Sequence, residues 1–171
     1  MFSHQTRVYC PDFYCKIRKF RIGDEAVVMK NGQMKIAQVI ERPKAFYIKE
    51  DLLCLQFENT EKPIYCSSDT VFYYFDTNQA VAAEHLEVSR LIKGLNFSPC
   101  RLIRKERIEN QEILDKLRLE DDQAPLYGLR FEDDIDYYFV NGLMVKSSER
   151  KVIEKMTFDS DQQYVNAMEN R

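Results

Sequence analysis

Short segments rich in β-branched and aromatic residues, separated by turn residues, fill the stretch between residues 13 and 75. Such segments favour strands, because branched and aromatic side chains pack well on a pleated surface. The strongest local signal is Asn31-Gly32, which separates the apolar residues 26–29 from those at 34–40 and predicts a two-residue hairpin. About five or six strands over this stretch predict a mainly β fold, a small antiparallel barrel or sandwich.

The second half of the chain adds strands and helices to this prediction. Residues 126–131 and 137–140 predict a further strand pair, which Asn141-Gly142 closes. Between the two β-rich parts, residues suited to one helical face recur at spacings of four, three, four and three: Val81, His85, Val88, Ile92 and Leu95. This period predicts an inserted helix over about 79–95.

The chain end has a polar, helical pattern and completes a three-part division. Ser160 with Gln163 fits a capping box and predicts a C-terminal helix. We therefore predict an N-terminal arm (residues 1–12), a β-rich domain with the inserted helix (13–142) and a helical C-terminal extension (143–171).

Composition excludes several classes of protein. The chain is 44% hydrophobic and 12% aromatic, which is too rich for a disordered segment. No apolar run approaches the roughly 18 residues of a membrane span, and the start lacks the apolar stretch of a secretory signal. An odd number of cysteines, five, suits free thiols in a reducing compartment. We expect a nuclear protein, with the cytoplasm as the alternative.

Few residues of the sequence indicate catalysis or metal binding. The only histidines are His4 and His85, and no glycine-rich phosphate loop is present. Cys10 and Cys15 form one close pair, but no second pair completes a zinc site. The prediction is therefore a protein that is not an enzyme and has no catalytic residue, metal or cofactor. An enzyme whose thiol or carboxylates meet only in the folded chain is left open as an alternative.

An aromatic run near the end of the first β-rich stretch is a candidate peptide-binding surface. Faces of Phe and Tyr attract methylammonium groups, and neighbouring carboxylates add negative charge. The candidate residues are Phe57, Asp69, Phe72, Tyr73, Tyr74 and Asp76. The alternative is that these rings are packed in the core.

A basic run near the start of the chain is a second candidate surface. The first fifty residues carry ten Lys or Arg against five Asp or Glu, whereas the whole chain has a net charge of −3. Four of these cations alternate along a predicted strand: Lys16, Arg18, Lys19 and Arg21. They form either a contact surface for phosphate or an edge strand protected from aggregation by its charge.

Taken in order, several segments of the chain resemble the bromo-adjacent homology (BAH) domain, a β-rich chromatin module. The segments that carry the resemblance are residues 20–28, 35–41, 53–57, 63–69, 91–94 with 100–103, and 127–131 with 137–139. The resemblance covers roughly residues 13–142.

The resemblance implies a non-catalytic chromatin module that mediates protein–protein or nucleosome contact. Its expected partners are proteins such as histones or a chromatin complex, with weak DNA contact, no membrane and no small-molecule substrate. The alternative is a Tudor-like SH3-type barrel that adapts a protein or RNA partner outside chromatin. A BAH fold requires the strands of residues 126–140 to join the sheet of residues 13–75, whereas a Tudor-like barrel closes by about residue 76.

Overall fold

In the computed structural model of the chain, the described residues are 1–48, 52–108, 123–132 and 135–147. These residues form fifteen short strands, which confirms the predicted mainly β class. The strands are β1 (Phe2–Ser3), β2 (Arg7–Tyr9), β3 (Tyr14–Lys16), β4 (Glu25–Lys30), β5 (Gln33–Gln38), β6 (Lys44–Ile48), β7 (Leu52–Phe57), β8 (Ile64–Ser67), β9 (Val71–Tyr73), β10 (Ala80–Ala82), β11 (Leu91–Lys93), β12 (Pro99–Arg107), β13 (Gln123–Tyr127), β14 (Tyr137–Val140) and β15 (Leu143–Lys146). Three-residue 3-10 turns lie at Ile17–Lys19, Ala83–His85 and Leu95–Phe97. The described part of the chain holds no helix long and apolar enough to cross a membrane.

Two antiparallel sheets organise these strands. The seven-stranded sheet has the order β11-β12-β7-β8-β1-β13-β6. The eight-stranded sheet has the order β10-β9-β15-β14-β2-β3, with β4 pairing β14 and β5 pairing β4. The prediction was a small antiparallel barrel or sandwich, and among the described strands neither order closes on itself into a barrel. Strands β1 and β2 precede the boundary predicted at residue 12, and β15 follows the boundary predicted at residue 142. Each of these three strands pairs with a neighbour on both sides.

Two Asn-Gly pairs make tight hairpins. Asn31 and Gly32 have φ values of 51° and 73°, the two positive angles of a type I′ turn, and they join β4 to β5 as predicted. Asn141 and Gly142, with φ values of 47° and 80°, join β14 to β15. The strand pair predicted from residues 126–131 and 137–140 is wrong, because β13 pairs with β6 and β1 instead of β14.

The predicted inserted helix over about 79–95 is also wrong. Strand β10 pairs with β9 and strand β11 with β12, so the backbone groups there bond across the sheets. Ser89 has a φ of 76°, which no α-helical residue adopts. Long-range strand pairing therefore overrides a spacing that suits a helical face. The predicted C-terminal helix lies outside the described residues.

The start of the chain contributes to the hydrophobic core. Phe2 is 2% exposed and makes edge-to-face contacts with Phe72 and Tyr138 at ring-centroid distances of 6.4 and 6.5 Å. Such contacts add to the free energy gained from burying the rings themselves. Because Phe2 is anchored in this way, the residue before it is held at the edge of the core.

Candidate active site

Strand β1 places Met1 between two other strands of the seven-stranded sheet. Phe2 is in register with Cys66 of β8 on one side and with Tyr127 of β13 on the other. The Ser67 amide donates a hydrogen bond to the Met1 carbonyl oxygen at 3.0 Å. Met1 is only 8% exposed. The first residue is therefore enclosed, with its nitrogen directed at the turn that follows β8.

That turn provides two hydroxyl groups for the Met1 nitrogen. The nitrogen donates hydrogen bonds to Ser67 Oγ at 2.9 Å and to Thr70 Oγ1 at 2.8 Å. The Thr70 hydroxyl also lies 3.2 Å from the Met1 carbonyl oxygen, to which it donates. Ser67 donates its own proton to Asp69 Oδ1 at 2.6 Å. We call this group, Met1, Ser67, Asp69 and Thr70, the Met1 pocket.

Burial controls the ionisation of the groups around this pocket. It lowers the pKa of the Met1 amino group below its ordinary value of 8.0, and the nearby Asp69 carboxylate opposes that shift. Burial raises the pKa of the neighbouring Cys66 thiol to about 12. Because the thiolate is the reactive form of cysteine, Cys66 is inert at neutral pH. The groups that hydrogen-bond the Met1 nitrogen directly are therefore the hydroxyls of Ser67 and Thr70.

The end of strand β15 approaches the same turn. Val145 is paired antiparallel with Phe72, so the residues after Val145 run back along the strand toward Thr70. Ser147 follows β15, where its amide donates to the Asp136 carbonyl oxygen at 3.0 Å. Its hydroxyl donates to the Ile135 carbonyl oxygen at 2.7 Å. The first residue thus binds the Ser67–Thr70 turn, and the register of β15 with β9 directs the end of the last described strand toward the same turn.

The aromatic residues predicted as a peptide-binding surface lie mostly in the interior. The rings of Phe57, Phe72, Tyr73 and Tyr74 are all buried. They offer no exposed aromatic wall, because alternate members of β9 pack into two different core clusters.

The two carboxylates predicted beside these rings are separated from each other. Asp69 joins the Met1 pocket through Ser67. Exposed Asp76 pairs with Arg90 at 3.1 Å, and this hydrogen bond holds the pKa of the carboxyl below its usual range.

The predicted basic surface is divided by the fold. Strand β3 ends at Lys16, and the 3-10 turn that follows directs Arg18 and Lys19 elsewhere. Lys16 lines a polar pocket beside Arg7. A shallow depression on another part of the surface gathers Arg18, Lys19 and Arg21 with Arg42.

The cysteines and histidines do not assemble a second site. All five cysteines are free thiols. The His85 side chain is 74% exposed and lies 3.6 Å from Glu84. Within the residues that the structure describes, no three His, Cys, Asp or Glu side chains form a group able to hold a metal ion.

Met1, Ser67 and Thr70 are not functional candidates on the sequence alone. Ser67 and Thr70 are 66 and 69 positions from Met1, and no local pattern relates residues so far apart. The one available signal is that small hydroxyl residues directly follow a buried strand, at Ser67-Ser68-Asp69-Thr70.

Comparison with known proteins gives matches by structure alone. No protein-family model matches the sequence, and a comparison with curated proteins finds no significant match. A bacterial intein-like domain from Clostridium thermocellum is 18% identical and has a TM-score of 0.67, with 85% of this chain and 97% of that chain covered. A DnaB intein from Synechocystis is 9% identical, with coverages of 86% and 98% and a TM-score of 0.64. The Msm DnaB1 intein splicing domain, solved with zinc bound, is 10% identical, with coverages of 86% and 100% and a TM-score of 0.60.

These similarities show that the chain has an intein-like fold, and they overturn the resemblance to the BAH domain. The features behind that resemblance, such as Gly23-Asp24 leading into an apolar strand, are common to many antiparallel hairpins and do not discriminate between β folds. The chromatin module, its histone and DNA partners and the Tudor-like alternative are therefore wrong. The prediction that the chain is not an enzyme is also overturned, because the neighbours are inteins and protein splicing is autocatalytic.

Proposed function

We propose that this chain is an intein-like domain that acts on the polypeptide in which it is embedded, by acyl transfer at the peptide bond preceding Met1. The observation that carries the proposal is the convergence of Met1 and the end of β15 on one turn. A reaction that excises a domain needs both flanks at one place, because the reacting groups have to be held within a few ångströms of each other. The intein neighbours support this proposal.

The Met1 pocket supplies proton transfer to the leaving nitrogen. In a polypeptide that continues before Met1, the Met1 nitrogen leaves when the preceding peptide bond is cut. An amine leaves only if it gains a proton as the carbon–nitrogen bond breaks, and a positioned side chain speeds that step. Ser67 and Thr70 lie 2.9 and 2.8 Å from this nitrogen, within the distance needed for proton transfer.

The attacking group has to come from outside the pocket. The Met1 thioether has no proton to lose, so it cannot form a neutral thioester with the preceding carbonyl carbon. We assign the attack to the hydroxyl of Ser147, which first has to leave its hydrogen bond to Ile135. Its oxygen forms a bond to the carbonyl carbon while the bond from that carbon to the Met1 nitrogen breaks. The hydroxyl proton is transferred to the nitrogen, so the products are an ester at Ser147 and a free amine at Met1.

The test places one reporter protein before Met1 and a second after Arg171. The fusion is purified, incubated at neutral pH and examined by mass spectrometry. We expect the amount of precursor to decrease with time. The amounts of the released chain and of the joined or separated reporters should increase. A precursor that stays intact throughout a prolonged incubation would contradict the proposed activity.

Matched variants assign the roles of the residues. Thr70→Val removes the hydroxyl at constant side-chain volume and should slow cleavage roughly a hundredfold, the usual contribution of a positioned proton donor. Thr77→Val makes the same change at an exposed turn and should have no effect. Ser147→Ala should abolish the ester, which hydroxylamine detects in the parent fusion. Unchanged cleavage in Ser147→Ala would contradict the assignment of this nucleophile.

A further inference from the structure

One unexplained feature of the surface is a pocket of about 620 Å³ beside strands β2 and β3, lined mainly by polar side chains. Its volume is in the range of pockets that hold small ligands. Cationic, hydroxyl, amide and tyrosine side chains line it, and neither Ser67 nor Thr70 is among them. It is therefore distinct from the Met1 pocket, and the proposed acyl transfer does not use it.

Two cations of this pocket face each other across a strand pair. Arg7 of β2 is in register with Lys16 of β3, and both line the pocket. Side chains directly opposite in an antiparallel pair lie about 5 Å apart at Cβ, and like charges there are destabilising. In the described part of the chain, neither cation has an ion pair that would offset this repulsion. An anion bound between them would remove the repulsion.

A third cation of the pocket comes from a different segment of the chain. Lys62 belongs to the loop between β7 and β8, next to Glu61. This loop has a defined shape, because Thr60 donates to the Phe57 carbonyl oxygen at 2.9 Å and Gln56 Nε2 donates to the Thr60 carbonyl oxygen at 3.0 Å. The third charge is thus held on an ordered segment. With Glu61 counted, the pocket has a formal charge of +2, which matches a phosphate monoester near neutral pH.

The remaining lining residues suit a ligand body that carries hydroxyl groups. Thr60 and Asn59 of the β7–β8 loop, with Gln5 and Asn141 of two other turns, offer both donors and acceptors. Tyr14, 44% exposed, adds an aromatic ring that the ligand body can contact.

We propose that this pocket binds a small organic phosphate whose body carries hydroxyl groups, with the phosphate held by Arg7, Lys16 and Lys62. The arginine fork binds two phosphate oxygens at once, and the lysines add charge. The repulsion between Arg7 and Lys16 then destabilises the fold slightly when the site is empty, and a bound anion removes it.

Isothermal titration of the intact chain at constant ionic strength tests the proposal. The probes are glucose 6-phosphate and adenosine monophosphate, each compared with its unphosphorylated parent, and inorganic phosphate. We expect at least one organic phosphate to bind, its parent not to bind, and inorganic phosphate to bind more weakly because it leaves the hydroxyl-binding groups unused. No binding of either organic phosphate at millimolar concentration, or equal affinity for inorganic phosphate, would overturn the proposal.

Variants separate a specific site from general attraction of anions. Arg7→Gln and Lys62→Gln should each weaken binding about tenfold, the effect of losing one charged hydrogen bond. Lys35→Gln removes an equally exposed cation from β5, outside the pocket, and should leave the affinity unchanged. In the absence of ligand, Arg7→Gln should raise the melting temperature slightly, because it relieves the repulsion with Lys16. Equal weakening by all three variants would refute a localised site.

Discussion

The hydroxyl of Thr70 joins the first residue to the middle of the chain, and its removal should measurably destabilise the fold. Thr70→Val keeps the side-chain volume and replaces the hydroxyl with a methyl group. The variant loses the 2.8 Å bond from the Met1 nitrogen and the 3.2 Å bond to the Met1 carbonyl oxygen. A hydrogen bond to a charged group contributes about 1.5–3 kcal/mol and a neutral one about 1 kcal/mol, so we expect a loss of about 2.5–4 kcal/mol.

Urea unfolding followed by circular dichroism measures this loss. The midpoint should fall while the slope with urea stays the same, because the surface exposed on unfolding does not change. Thr70→Ser keeps the hydroxyl and should lose only about 1 kcal/mol for the missing methyl group. Thr77→Val, at an exposed turn, should lose less than about 0.5 kcal/mol. If Thr70→Val costs no more than Thr77→Val, the bonds to Met1 contribute nothing and the reasoning is refuted.

The stability loss of Thr70→Val should depend on pH, and this dependence tests whether the bond to the charged Met1 amine is its cause. Because burial lowers the pKa of the Met1 amino group in the folded chain, the unfolded chain binds more protons between that lowered value and 8.0. The contribution of this group to stability therefore rises with pH through that window and is constant above it. Loss of the Thr70 acceptor makes the charged amine still less favourable, so Thr70→Val should cost more at a pH below this window than at a pH above it. A larger cost above the window would show that the bond to the charged amine is not the cause.

Three further predictions concern packing and thiol reactivity. Gly94→Ala should destabilise the fold by about 1–3 kcal/mol in urea unfolding, because its Cβ would lie 2.8 and 2.9 Å from two backbone carbonyl oxygens; an unchanged midpoint would contradict the close contact. With iodoacetamide at pH 8, mass mapping should show that the partly exposed Cys15 is alkylated and that fully buried Cys66, whose pKa is about 12, is not; labelling of both at equal rates would contradict the burial. Phe72→Ala should lower the free energy of unfolding by about 3–5 kcal/mol. Phe13, which is 62% exposed, is the control, and Phe13→Ala should lower it by less than about 1 kcal/mol. Similar losses in the two variants would place Phe72 outside the core.

Local chemistry explains which parts of the fold are predictable from the sequence. The β4–β5 hairpin follows from Asn31-Gly32, since two adjacent positive φ angles are nearly restricted to Asn, Asp and Gly. Residues 79–95 show the opposite case. Side chains suited to one helical face recur there at spacings of three and four, but the stretch forms strands β10 and β11, which pair with β9 and β12. Within this stretch, Gly94 allows the backbones of Ser98 and Gly142 to approach closely.

The Met1 pocket is unpredictable for a different reason. Its groups are ordinary on their own, two small hydroxyl residues and a chain start, and only the pairing of β1 with β8 gives them a shared position. The order of short strand segments is also common to many β proteins, so it suggested a chromatin module as readily as the intein-like fold. The class of secondary structure was therefore predictable, whereas the topology and the site depended on contacts between distant residues.

The two earliest strands of this sequence have partners far along the chain. Phe2 pairs with Tyr127, Val8 pairs with Val140, and the Arg7 amide bonds to Asn141. During synthesis at roughly 5–20 residues per second, β1 and β2 therefore wait on the order of ten seconds for these partners to leave the ribosome. Until then Met1 is not fully buried and remains in contact with water. Any chemistry at Met1 that depends on this enclosure is thus delayed until nearly the whole domain has been translated.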